Sequence, residues 1–230
     1  MKRLIFALLA GSLLLLASCN NKDAVTYSGL EAGTLASGIF TSDGGTKMTV
    51  VGNDGQFDVS TTRRVLIQYK THPVTDASHI DIDLLGLLDA GILLPDEVAS
   101  MPDEPDGTPI QVSDAWFGGE YLNTLLSFAG DDASQHTIDA SFLADENGIT
   151  LRLHHDGSKD NASSSKVNSA FISVPIQDLL EAYEAYARSL GLKQANYPMT
   201  LTLQWTERTL EGGPLTIYER KGSYAPRTSN

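Results

Sequence analysis

The stretch HTIDASFLADENGITLRLHHDG, residues 136–157, decides the fold predicted for this chain. Apolar and polar residues alternate on both sides of a polar break at 145–148. Such alternation is typical of β-strands with one buried face, and a break that ends in Asn-Gly favours a tight turn. The stretch therefore predicts an antiparallel hairpin with these buried positions: Ile138, Ala140, Phe142, Ile149, Leu151 and Leu153.

The period of two continues outward from this hairpin. Residues 34–41 and 47–51 predict the arms of another hairpin, with the Gly-rich residues 42–45 as its turn. Further strands are predicted at RRVLIQYKT (63–71), YPMTLTLQWTE (197–207) and GPLTIYERK (213–221). Because β-branched and aromatic residues favour strands, the chain is predicted to be mainly β.

One segment changes to helical spacing. Pro175 suits the first turn of a helix, and Gly191 suits the position just past its end. Between them the apolar residues recur every three or four positions, at Ile176, Leu179, Leu180, Tyr183, Ala187 and Leu190. The pattern predicts one amphipathic helix packed against a sheet, with a partner-binding helix as the alternative.

The N-terminal stretch LIFALLAGSLLLLASC ends on the single cysteine, Cys19, and follows two basic residues. The apolar run is too short to span a membrane and has the length of a signal-peptide core. Small residues before Cys19 resemble the lipobox of bacterial lipoproteins, which implies cleavage before Cys19 and its lipidation. The alternative is an ordinary secretory signal, which would leave a cysteine with no disulfide partner in the chain.

The chain has 16 basic and 29 acidic residues, for a net charge of −13. Removal of residues 1–18, which include two basic residues, would leave a net charge of −15. Phosphate groups would repel such a body, so the composition argues against nucleic acid and anionic lipid as partners.

Several motifs together resemble the NigD-like lipoproteins of Bacteroides-type bacteria. They are GIFTSDGGTKM (38–48), RVLIQYKT (64–71), WFGGEYLNTLLSF (116–128), ITLRLHHDGSKDN (149–161) and SAFISVPIQDLL (169–180). The resemblance implies an N-terminal OB-like barrel, a C-terminal β-sandwich-like domain and an immunity-like role at the cell envelope. It supplies no active-site residues.

Five segments follow from these patterns. They are a lipoprotein signal peptide (1–18), a tether (19–29), an OB-like domain (30–94), an acidic Pro-rich linker (95–112) and a β-sandwich-like domain with the helix (113–226). The linker is predicted because four prolines interrupt a stretch rich in Asp and Glu.

A metal site is one hypothesis for the histidines. Imidazole and carboxylate ligands suit zinc, which makes His136, His154, His155 and Asp156 candidates. Adjacent strand residues point to opposite faces, so His155 is expected inward and His154 outward. The alternative is that these side chains form local hydrogen bonds at a strand end.

A second group of candidates could bind a ligand. Trp116, Phe117, Tyr121 and Asn123 cluster in one short stretch, and aromatic rings of this kind could stack on a sugar. Trp205 fits a core position better, because it continues the buried face of its strand.

The sequence contains no Gly-x-Ser-x-Gly, His-Glu-x-x-His or phosphate-loop motif, and nothing in it selects a serine with partner His and Asp. We therefore expect no enzyme and no cofactor, but a lipid-anchored, non-catalytic envelope protein on the outer membrane, at its periplasmic face or the cell surface. It would bind a protein or envelope ligand as a scaffold or immunity-like factor. The alternatives are a carbohydrate-binding accessory lipoprotein and a metal-dependent hydrolase.

Overall fold

The computed structural model describes residues 26–74, 78–161, 164–209 and 213–226. The predicted signal peptide, Cys19 and most of the predicted tether lie outside the described residues. Within them, no helix is both long and apolar enough to cross a membrane.

Two sheets and one α-helix make up the described part of the chain, so the prediction of a mainly β fold with one helix is confirmed. The first sheet contains β1 (Ser28–Ala36), β2 (Ile39–Ser42), β3 (Lys47–Gly52), β4 (Arg63–Thr71), β5 (Asp81–Ile92), β7 (Gln111–Gly118), β8 (Tyr121–Ala129) and β11 (Val167–Pro175). The second contains β6 (Asp96–Glu97), β9 (Thr137–Asp145), β10 (Gly148–Asp156), β12 (Met199–Arg208) and β13 (Leu215–Tyr224). The helix α1 spans Ile176–Ser189, and a short 3-10 helix spans Ala133–Gln135.

The first five strands close into a barrel. They pair in the order β3-β2-β1-β4-β5, and β3 pairs with β5 in parallel to complete the ring. Alternate side chains of these strands face a common interior, because side chains alternate between the two faces. This interior holds a cluster of Leu35, Phe40, Met48, Val65, Ile67, Tyr69, Ile82 and Leu84.

The barrel contains a turn that the sequence analysis missed. Residues 34–41 were predicted as one strand, but the chain turns at Ser37 and Gly38, which both have positive φ, of 50° and 77°. Two successive positive values suit a tight hairpin turn. A Ser-Gly pair inside an alternating run is a weak signal, since serine seldom adopts positive φ.

The barrel and the C-terminal strands share one sheet. Strand β5 continues past the barrel and pairs in parallel with β11, where Phe171 lies opposite Ala90. A small cluster of buried side chains, Ala32, Leu66 and Phe171, lies at this junction. The division into domains at 30–94 and 113–226 stays a prediction.

The two sheets pack face to face beyond the barrel. The hairpin of β9 and β10 is present with the predicted turn, because Asp145 pairs with Gly148. Its predicted apolar positions line the interior, with Leu151 fully buried. On β12, Leu203 and Trp205 point into the same core, as predicted.

Helix α1 covers part of this core, as its spacing predicts. Ile176, Leu179, Tyr183 and Ala187 are buried, whereas Leu190 lies beyond the last turn and is 58% exposed. Gly191 has a φ of 79°, which is the left-handed conformation that glycine supplies after a helix.

Most of the segment predicted as a linker, 95–112, is held on the second sheet, and its last two residues begin β7 of the first sheet. Asp96 and Glu97 pair with β9, and the Pro102 carbonyl oxygen accepts a hydrogen bond of 2.6 Å from Arg152. Ile110 is buried in the sandwich core. These contacts fix the segment along the outer face and one edge of the second sheet.

Candidate functional site

The four ligand-binding candidates lie on the β7–β8 hairpin. Trp116 is opposite Asn123, and Phe117 is two positions from the turn that ends at Tyr121. The Trp116 ring stacks on Phe171, with centroids 6.0 Å apart, and Asn123 is fully buried. The hairpin therefore uses Trp116 and Asn123 for contacts at the junction with the barrel, whereas Phe117 packs on Tyr224 of β13.

Asn123 belongs to a buried polar network that joins the barrel to this hairpin. Arg64 of β4 donates two hydrogen bonds to Asp43, of 2.9 and 2.8 Å, and one of 2.7 Å to Asn123. Its Nε donates to Ser173 on β11 at 2.8 Å. The guanidinium also lies 4.0 Å from the centre of the Tyr121 ring, a distance typical of cation–π contacts.

Two glycines make room for this network. A Cβ at Gly118 would lie within 2.4 Å of an Asp43 carboxylate oxygen, and Gly119 has a φ of 59°. The Gly-Gly pair in WFGGEY therefore lets the hairpin turn approach Asp43 closely. The sequence analysis did not predict this turn, and the sequence does not show which carboxylate the turn will meet.

Among the histidines, the structure brings His136 and His155 together. His155 points inward from β10, as predicted, and its Nε2 lies 2.9 Å from Nδ1 of His136. Nε2 of His136 lies 2.9 Å from an Asp160 carboxylate oxygen, and Nδ1 of His155 lies 3.1 Å from the Thr108 carbonyl oxygen. Among the described residues, no three His, Cys, Asp or Glu side chains are placed to hold a metal ion together.

The hydrogen-bond partners indicate which outer ring nitrogen of each histidine carries a proton. The Thr108 carbonyl only accepts, so Nδ1 of His155 carries a proton. The Asp160 carboxylate accepts hydrogen bonds from the Asp132 backbone N–H and from His136. These two hydrogen bonds lower the pKa of Asp160 to about 2. Nε2 of His136 therefore carries a proton too. Burial lowers the pKa of His155, which favours the neutral form of its ring.

This arrangement predicts a pH dependence of stability. The pKa of Asp160 is lowered from about 3.8 to about 2, so its stabilising effect is complete above pH 4 and is lost as the pH falls towards 2. We expect Asp160→Asn to lower the urea midpoint at pH 7, and the difference from the unsubstituted protein to vanish between pH 4 and pH 2. Asp103→Asn, in an exposed segment, is the matched control. A difference that stays constant down to pH 2 would contradict the assignment.

His154 points to the other face of the sheet, as predicted, and meets two side chains that the sequence analysis did not name. Its Nε2 lies 2.7 Å from the Ser141 hydroxyl, and its Nδ1 lies 2.8 Å from an Asp106 carboxylate oxygen. Asp156, the fourth metal candidate, is exposed at the end of β10. The candidate cluster is thus split between two faces.

The hairpin register could have identified Ser141. A turn that pairs Asp145 with Gly148 places Ser141 opposite Arg152, and therefore diagonal to His154 on the same face. Asp106 could not be found in this way, because it arrives from the segment 95–112, whose path depends on tertiary contacts.

Ser141 and His154 line a cleft of about 750 Å³ beside the second sheet. Its other walls combine apolar residues of 92–98 with two carboxylates, Asp96 and Asp139. Leu94 is 71% exposed on its rim. The cleft therefore offers an apolar surface with polar groups at one end, a combination common in ligand sites.

No protein-family model matches the sequence, and no curated protein matches it. Solved structures do match. A NigD-like immunity protein from Bacteroides caccae has a TM-score of 0.60 and 20% identity, over 86% of this chain and 97% of that one.

Two further structures agree with the first. A protein of unknown function from Bacteroides vulgatus has a TM-score of 0.56 and 15% identity, over 88% of this chain and 92% of that one. A candidate lipoprotein from Bacteroides fragilis has a TM-score of 0.55 and 14% identity, over 85% of this chain and 97% of that one. None of the three is described as an enzyme. The chain thus has the fold of the NigD-like immunity protein and its structural relatives, and the resemblance read from the sequence motifs is confirmed at the level of the fold.

Proposed function

We propose that this chain is a lipid-anchored protein of the cell envelope that binds a protein or other envelope ligand in an immunity-like role. The observation that carries the proposal is the fold shared with an immunity protein over nearly its full length. Similarity to a candidate lipoprotein and the position of Cys19 behind an apolar run support the anchor. This role requires binding only, and no turnover is part of it.

The cleft at β9 is the binding surface that we assign to this role. Ile92 and Leu94 are 46% and 71% exposed, so a ligand that covers them would remove apolar surface from water. Asp96 and Asp139 line the same cleft and would favour a ligand that carries a positive charge. Trp116, Tyr121 and Asn123 contact groups at the barrel junction, and Phe117 packs on Tyr224 in the sandwich, which argues against a sugar-stacking role for them.

Lipidation can be tested in the cell. We expect Cys19→Ser to move the protein out of the membrane fraction, because the acyl chains that would anchor it are then missing. Fractionation followed by mass spectrometry of the N-terminal peptide measures both the location and the lipid. An unchanged membrane fraction would contradict the anchor.

Binding at the cleft can be tested by in-cell crosslinking. We expect Leu94→Asp to reduce recovery of a crosslinked envelope partner by about tenfold or more, because it places a charge in the apolar wall. Leu190→Asp is the matched control, since Leu190 is also exposed but lies at the end of α1. Equal recovery with both variants would refute the assignment of the cleft.

A further inference from the structure

Ser141, His154 and Asp106 are connected in the order found in serine hydrolases. The Asp106 carboxylate accepts from Nδ1 of His154 at 2.8 Å, which leaves Nε2 without a proton in the neutral ring. Nε2 can then accept the Ser141 hydroxyl proton, across a distance of 2.7 Å. The imidazole is thus oriented as a general base towards the serine oxygen.

A buried cation lies next to this serine. Arg152 faces Ser141 across the β9–β10 pair and is only 3% exposed. It donates to Gln204 and to the Pro102 carbonyl, which are both uncharged acceptors. Among the described residues, no carboxylate forms an ion pair with it. These hydrogen bonds direct the guanidinium towards β12 and the segment 95–112, so Arg152 contributes positive charge to this face of the sheet without a hydrogen bond to Ser141.

The cleft supplies space for an apolar group at the same point. Ser141 and His154 line it together with Leu93, Leu94 and Val98. The His154 side chain is 29% exposed, so a substrate can reach it from solvent. An acyl chain in the cleft would bring its carbonyl carbon to the serine.

We propose that Ser141 is a nucleophile that accepts an acyl group from a carboxylic ester with a short apolar acyl chain. This activity goes beyond the proposed binding role and does not depend on it. The Ser141 oxygen forms a bond to the carbonyl carbon while its proton passes to Nε2 of His154. The ester C–O bond then breaks, and the proton leaves with the alcohol. Water attacks the acyl-serine with the same histidine as base, which releases the carboxylic acid and restores Ser141.

A fluorophosphonate probe tests the nucleophile directly. It reacts with activated serines by forming an O–P bond and releasing fluoride. We expect the purified full chain to be labelled at Ser141, located by mass spectrometry of the peptide. Ser141→Ala should abolish labelling, and His154→Gln should slow it by about a hundredfold or more, because a positioned base contributes about 10²–10⁴ to the rate. Ser127→Ala is the matched control and should label normally.

A second measurement uses an ester substrate in place of the probe. Hydrolysis of p-nitrophenyl butyrate should lose the same factor in His154→Gln. Absence of labelling at Ser141 in the folded chain, or equal labelling with His154→Gln, would overturn the proposal. The hydrogen bonds among the three side chains would then serve only to hold the segment 95–112 on the second sheet.

Discussion

Arg64→Ala is expected to lower the free energy of unfolding by about 3–5 kcal/mol. The guanidinium is buried, with 7% of its side chain exposed, and it neutralises an Asp43 side chain that is 15% exposed. Removal of one partner leaves the other charge without compensation in a poorly hydrated place. Asn123 and Ser173 would each lose a donor in the same step. Urea denaturation of the two proteins at pH 7 measures the difference.

Arg63 provides the control for this experiment. It precedes Arg64 on the same strand, and it pairs with the exposed carboxylates of Asp58 and Asp89. Exposed ion pairs contribute about 0–1 kcal/mol, so Arg63→Ala should have a small effect. Similar losses for both arginines would show that the buried network contributes no more than a surface pair.

Phe171→Ala is the second large effect, with an expected loss of about 3–5 kcal/mol. The ring is 1% exposed and stacks on Trp116 at the point where β11 meets the barrel strand β5. Truncation removes apolar contacts and leaves a cavity that the surrounding strands can fill only in part. The loss should appear as a lower midpoint in urea with both tryptophan fluorescence and far-ultraviolet circular dichroism.

Val167→Ala serves as the matched variant, because Val167 begins the same strand but is 67% exposed. Its effect should stay within about 0.5 kcal/mol, as for most surface changes. If the two probes give separate transitions in Phe171→Ala, the barrel and the sandwich unfold independently once the junction is weakened. Coincident transitions would mean that the shared sheet still unfolds as one unit.

Local patterns were sufficient to predict much of the fold. The hairpin at 136–157 follows from alternation and a turn, and α1 follows from a spacing of three and four with Gly191 at its end. These features depend on neighbours close in sequence, so their signals lie in short windows. The inward position of His155 and the outward position of His154 follow from the same alternation.

The contacts that assemble the site depend on distant partners. Asp43, Arg64 and Asn123 come from three separate parts of the chain, and no local pattern pairs them. Asp106 reaches His154 from a proline-rich segment that lacks periodicity. The parallel pairing of β5 with β11 is also beyond local reasoning, because it joins strands about 80 residues apart.

The position of β1 has a mechanical consequence for a chain held by its N-terminus. The strand lies between β2 and β4 and is antiparallel to both, and Tyr27 just before it forms hydrogen bonds with Thr71. Tension applied through the preceding residues runs along the strand axis, at right angles to its hydrogen bonds. Two ladders must therefore shear together before the strand moves, whereas a strand at an edge could be peeled off one bond at a time. A barrel whose N-terminal strand lies between two others therefore resists a force that pulls on the residues before that strand.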